Sequence, residues 1–350
     1  MRVRFINMKK IGALGLVLFA TTSLAQQIKE PSACGATPKA KRPMCQECTR
    51  GGGVWEYGGG SWGCAIPGVD SVGQFHRSKA IPKDKPIPKP ASGGAWFNKY
   101  VDVPAGSFTI GSQPTDSERE GNEFAAPVKL THAFKMKVTE VTQGEWHFVM
   151  GQAHENYDRQ CGVDCPVRSI TFLQVLEFLN KLSEREKLER CYAIKGTQVE
   201  WVKGLDCSGY RLPTEAEWEF AARAGIETPR YGELKDIALT ADNNPELALR
   251  PVANKKPNAS GLHDMLGSIA EWTWDEYRYD AFNPEQNAGK EWVDPIIGGL
   301  KITDEYSQRT SRGGNGFDRP QDARFSFRVQ ALAGGSSRVG FRPVRSITTR

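Results

Sequence analysis

Eight cysteines are the residues whose type and spacing most readily do chemistry in this chain. They fall into three groups: Cys34, Cys45, Cys48 and Cys64; then Cys161 and Cys165; then Cys191 and Cys207. Cys45-x-x-Cys48 with two more cysteines nearby has the ligand number of a structural zinc site. An even count in an exported chain points instead to disulfides closed within each group. No βαβ pattern surrounds the pair, as a redox motif would need. Cys161 and Cys165 stand four apart beside Pro166, close enough to clip a turn. Cys191 and Cys207 bracket a fifteen-residue insert that suits a disulfide-closed loop. The histidines add less. His76, His132, His147 and His154 show no metal-ligand spacing, and His263 beside Asp264 reads as a structural pair rather than an acid or base.

Export is read from the first 25 residues. Arg2, Arg4, Lys9 and Lys10 precede an apolar run from Ile11 to Ala20, and Ser23-Leu24-Ala25 offers small residues for cleavage. That run is about half of what crosses a bilayer, and no later segment is apolar enough to span one. The chain is therefore expected in the periplasm after cleavage, with no membrane span of its own. The formal charge of +5 includes those four basic side chains and no acid from the same stretch, so the mature chain is near +1. With no basic patch interleaved with aromatics, nucleic acid is excluded as a partner.

The elements that must position chemistry follow in order. Residues 26–78 form a Cys/Gly-rich module too small to fold on burial alone, so disulfides must staple it. Residues 79–94 alternate Pro and Lys and read as a semi-rigid linker. The main domain, residues 95–350, opens with short β signals: Phe108 to Ile110, and Val128 to Val138, where apolar and polar residues partly alternate. From Thr171 to Leu182 an apolar stripe at helical spacing predicts a helix. A second helix follows a capping box at Thr214 and Glu217, with Gly225 as its stop. Beyond Gly225 the composition is nearly all loop signal.

Eight ordered motifs carry a resemblance over about residues 98–346. They are Gly106 to Ser112, Val138 to Thr142, Pro166 to Ile170, Tyr210 to Trp218, Gly261 to Gly267, Glu271-Trp272, Arg312-Gly313-Gly314 and Gly340-Phe341-Arg342. In this order the chain resembles the formylglycine-generating enzyme (sulfatase-modifying factor) superfamily. The resemblance implies an α+β fold of low regular secondary structure, related to C-type lectins, preceded here by the small disulfide-rich module. In the family's enzymes the segment after Arg-Gly-Gly carries two copper-binding cysteines. Here Gly316 to Val344 contains none, and none of Arg319, Asp322, Arg324 or Ser326 replaces a soft thiolate. No copper and no catalytic residue are expected.

The resemblance also implies a structural calcium ion in Gly261 to Trp272. Asp264 and Glu271 would supply side-chain oxygens, Gly267 and Ile269 backbone carbonyls, a donor set that suits a hard cation. The alternative is that Asp264 caps a turn, Glu271 pairs with an arginine, and Trp272 and Trp274 fill the core. Members without the cysteine pair include periplasmic accessory proteins of the type VI secretion threonine-phosphorylation pathway. By that likeness the chain is a catalytically silent regulator with a protein partner, the periplasmic region of a membrane Ser/Thr sensor kinase. Two other readings stand beside it: a cysteine-independent maturation enzyme like that of pyoverdine synthesis, and a lectin-like module using Tyr277, Tyr279, Phe282 and Trp292 as a binding patch.

Overall fold

Three helices begin alike, each on a threonine that closes a capping box. Thr142, Thr171 and Thr214 accept the amides of Glu145, Gln174 and Glu217 at 3.1 Å, and those side chains return to the threonine amides. Two orphan amides are satisfied at each start. The helices are α1 (Gln143–Met150), α2 (Phe172–Arg185) and α3 (Glu215–Arg223). As the spacing predicts, α2 buries Phe172, Val175, Leu176, Leu179 and Leu182. At the end of α3, Ala224 and Gly225 turn left-handed.

The structure, a computed structural model, describes residues 54–58, 61–65, 87, 93–302, 308–335 and 338–347. The leader, Cys34, Cys45, Cys48 and most of the linker lie outside the described residues. The chain divides into two units, residues 1–80 and 81–350. In the first, β1 (Val54–Gly58) and β2 (Ser61–Ala65) pair antiparallel, with Cys64 opposite Trp55. Among the described residues no helix is long and apolar enough to cross a membrane.

The second unit is mixed α and β, in small sheets. One runs β3 (Tyr100–Val103), β6 (Phe134–Lys137), β18 (Val344–Ser346), β9 (Tyr210–Arg211). Another joins β4 (Gly106–Ile110), β5 (Ala126–Leu130) and β13 (Trp292–Val293). The stretch from Val128 to Val138 thus splits between two sheets, because residues 131–133 turn the chain away. A four-stranded sheet orders β16 (Arg328–Leu332), β15 (Gln308–Arg312), β12 (Ala270–Glu276) and β17 (Val339–Gly340). A three-stranded one orders β14 (Lys301–Ile302), β8 (Gln198–Trp201) and β7 (Tyr192–Lys195), and β10 (Ala238–Leu239) pairs with β11 (Leu266–Gly267).

The region beyond Gly225 therefore holds more strand than its composition suggests. β12 is buried on both faces for six of its seven residues, so it lacks the alternation of a half-exposed strand. Trp272 and Trp274 are fully buried there, packed edge-on and tilted against Phe172. Both disulfides of this unit, Cys161–Cys165 and Cys191–Cys207, form as the grouping predicts, the second closing a loop that contains β7 and β8.

Candidate functional site

The segment after Arg312-Gly313-Gly314 is held by guanidinium–carboxylate bonds. Glu215 and Glu219 sit one turn apart on α3, so both carboxylates point from one helix face. Glu215 takes Arg328 in two-point fashion (2.6 and 2.8 Å) and Arg312 at 3.3 Å. Glu219 takes Arg223 at 2.7 Å and also Arg312. Arg324 forks onto Glu123 at 2.6 and 2.8 Å. All four of Glu123, Glu215, Glu219 and Arg312 are buried. Burial pushes the Glu215 carboxyl up, but Arg328 and Arg312 together pull it below its ordinary value. The remaining turn is closed locally: Asp318 accepts the side-chain amide of Asn315 at 2.7 Å, and Arg319 forks onto Asp322. Among the described residues every cysteine with a described side chain is in one of the two disulfides. No cysteine stands between Arg312 and Arg328 in the sequence.

Two carboxyls here are pushed up toward neutrality by burial. Asp275, fully buried on β12, accepts the amides of Glu215 and Ile297 at 2.6 Å each. Burial and the Glu215 charge nevertheless push it up to about 7. Burial also pushes Asp318 up to about 6. Because each folded value lies above the unfolded one, the stability these groups contribute is full below about pH 4 and is lost as pH rises through 6 to 7. A carboxyl moved from its ordinary range to about 7 is worth at most about 4 kcal/mol. The urea midpoint is expected to fall between pH 5.5 and pH 8. Asp275→Asn is expected to flatten that slope while lowering the midpoint at both values, since an amide NH2 would face an amide N–H. An unchanged slope in the variant would show that Asp275 titrates elsewhere.

The loop from Gly261 to Trp272 lies close by. Asp264, Gly267 and Ser268 all have positive φ (55°, 75° and 59°), and a Cβ on Gly267 would sit 2.1 Å from the Leu239 carbonyl oxygen. Only glycine fits that approach. Ile269 is buried ahead of β12. Glu271 Oε1 accepts Arg342 Nη2 at 2.6 Å and Nε at 2.9 Å; its Oε2 accepts Arg342 Nε and Trp218 Nε1, each at 2.8 Å. Asp264 Oδ2 accepts the Ala253 amide. His263 donates from Nδ1 to the Lys255 carbonyl at 2.9 Å and rests 5.5 Å from the Trp96 ring, so its partners are these and not the adjacent Asp264.

A calcium ion takes six to eight oxygens, and the implied donors fit it unevenly. Asp264 keeps Oδ1 outside any described hydrogen bond, but both Glu271 oxygens are spent on Arg342 and Trp218. Among the described residues no three His, Cys, Asp or Glu side chains form a metal-holding group, so a cation here would rest on two carboxylates and backbone oxygens.

Sequence reasoning passed over the neighbours. Glu140, within the Val138 to Thr142 motif, is fully buried, and neither of its carboxylate oxygens has a hydrogen-bond partner. Burial, and then repulsion from Asp264, push its carboxyl well above the ordinary range. Buried Lys137 pairs with Glu145 at 3.0 Å. The aromatic patch does not assemble: Phe282 is buried with Trp292 against it at 5.6 Å, Tyr277 accepts Asn122 at 3.0 Å, and Tyr279 alone is exposed.

This architecture has known counterparts. The serine/threonine-protein kinase pkn1 of Chlamydia pneumoniae is 27% identical over 273 residues, which are 76% of this chain and 40% of that kinase. The inactive C-alpha-formylglycine-generating enzyme 2 of Mus musculus is 32% identical over 167 residues, 43% of this chain and 52% of that one. The solved Treponema denticola variable protein 1 superposes with a TM-score of 0.58 at 28% identity, covering 70% of this chain and 94% of that structure. The chain thus spans about half or less of these two curated relatives. The sulfatase-modifying factor enzyme 1-like domain matches residues 90–347, nearly all of the second unit, and with the motif order and the fold in agreement, the chain belongs to that family.

Proposed function

We propose that the protein acts by binding, as an exported and catalytically silent member of the family. Its partner is the extracytoplasmic region of a membrane Ser/Thr kinase in the threonine-phosphorylation pathway of type VI secretion. The observation that carries this is the segment at residues 312–328. Where oxidation needs a thiolate pair, this chain has arginines locked onto Glu123, Glu215 and Glu219. Two likenesses support it: one relative is named inactive, and another is named a Ser/Thr kinase of which the matching region is only a part. A domain joined to a kinase in one lineage is suited to serve a separate kinase in another.

The test uses the mature chain and the purified extracytoplasmic region of the membrane Ser/Thr kinase from the same cell, immobilised for interferometry. Saturable micromolar binding, with faster autophosphorylation of the kinase in vesicles, is the expected result. No binding, together with aldehyde formation on a thiol peptide supplied with copper and oxygen, would overturn it. A second reading, a cysteine-independent enzyme, is favoured by Asp318, a half-buried carboxyl held near 6 where acid–base chemistry works. Turnover of a small ligand that is lost in Asp318→Asn would select that reading.

A further inference from the structure

We propose that the side chains of Lys137 and Glu145 condense into an amide, a covalent cross-link from the end of β6 to the first turn of α1, with Glu140 as the proton carrier.

The hydrogen bonds of the lysine set this contact apart from an ordinary ion pair. Lys137 and Glu145 are both buried, at 2% and 1% exposure, and Nζ stands 3.0 Å from Oε1. At that distance Oε1 nevertheless accepts no aligned hydrogen bond. The Nζ protons go to Thr139 Oγ1 at 2.8 Å and to the Glu140 backbone carbonyl at 3.2 Å. A neutral amine has two protons, so the lone pair is what remains for the Glu145 carboxyl. Burial pushes the amine down and the carboxyl up, which favours the uncharged pair in a site closed to water. An uncharged amine and a carboxylic acid held together without solvent between them are the two reactants of an amide.

The two carboxyl oxygens are held unequally, as the step requires. Oε2 accepts the Thr142 amide at 2.8 Å, the return bond of the α1 capping box. That amide stabilises the negative charge that collects on Oε2 when the Nζ lone pair adds to Cδ. Oε1, with no hydrogen bond to hold it, is the oxygen that leaves. The Nζ–Cδ bond forms, the Cδ–Oε1 bond breaks, one Nζ proton ends on Oε1, and one water is released; nothing is oxidised or reduced. Direct transfer between two atoms on the same carbon is strained, so a carrier is needed. Glu140 is buried with both carboxyl oxygens lacking a hydrogen-bond partner, and its own backbone carbonyl touches Nζ. Burial, and then repulsion from Asp264, push its carboxyl well above the ordinary range. It therefore has a proton to give to Oε1 as it takes one from Nζ.

The experiment is the intact mass and tryptic map of the full mature chain, folded, then unfolded and reduced. It does not depend on the kinase reading, since neither readout involves a partner. The wild-type chain is expected to weigh one water less than its sequence. The loss should lie in a single peptide from Met136 to Arg159, which trypsin no longer cuts after Lys137 because Nζ is acylated. Glu145→Ala should restore both the full mass and the cut at Lys137, and Glu140→Gln should do the same in a chain that still folds. Wild-type protein that keeps its full mass after days in the folded state would overturn the proposal. So would a water lost from any other peptide, or a Glu140→Gln chain that cross-links as completely as the wild type. The wild-type map decides the first two points even where a variant fails to fold.

Discussion

Glu215→Ala is expected to destabilise the second unit by about 3–5 kcal/mol, the cost of leaving a buried charge without its partner. One carboxylate is shared here by two guanidiniums. Its loss strands Arg328, which gives Glu215 two bonds of 2.6 and 2.8 Å, and weakens the hold on Arg312. Neither arginine can reach water, since both are buried. Urea melts at pH 7 would show the loss as a lower midpoint with an unchanged slope. The matched double variant Glu215→Leu with Arg328→Met should recover a good part of it, because a buried ion pair replaced by apolar groups of similar volume is often near neutral. A midpoint shift below about 1 kcal/mol in the single variant would mean that the lattice is slack.

Gly267→Ala should be comparably damaging, for a reason that has nothing to do with charge. The left-handed backbone alone costs a non-glycine residue about 1–2 kcal/mol. The added methyl would also stand 2.1 Å from the Leu239 carbonyl oxygen and 2.8 Å from its amide nitrogen, both backbone atoms that cannot swing aside. β10 and β11 would have to part, since Leu239 and Gly267 are paired across them. Gly225→Ala isolates the conformational share. It has φ of 86° with nothing within 4 Å of a new Cβ, so its cost should stay near the lower figure. Equal melting temperatures for the two variants would remove the steric argument.

Local signals were the legible ones. The capping box at Thr214 and Glu217, the stripe from Thr171 to Leu182, and the two short cysteine pairings each rest on residues near one another in sequence, and the structure has all of them. The boxes at Thr142–Glu145 and Thr171–Gln174 carried the same signal and went unread. What could not be read is what depends on distant partners. β12 looks like loop because burial on both faces erases alternation. The arginines from 312 to 328 say nothing of the glutamates on α3 about a hundred residues earlier that fix them. Glu140 resembles any polar residue just past a strand until its buried carboxylate is seen to lack a hydrogen-bond partner. The motif order named the family, but the use of Glu271 by Arg342 belongs to the packed interior alone.

The place of β18 bears on how the molecule comes into being. Residues 344–346 lie between β6 and β9, pairing with Phe134 to Met136 on one side and with Tyr210 and Arg211 on the other. The sheet that β3 and β6 begin near residue 100 is thus completed only by nearly the last residues described. Such long-range closure is slow and exposes unpaired strand edges until it is done. A chain still being made cannot finish this sheet until residues 344–346 are available to pair.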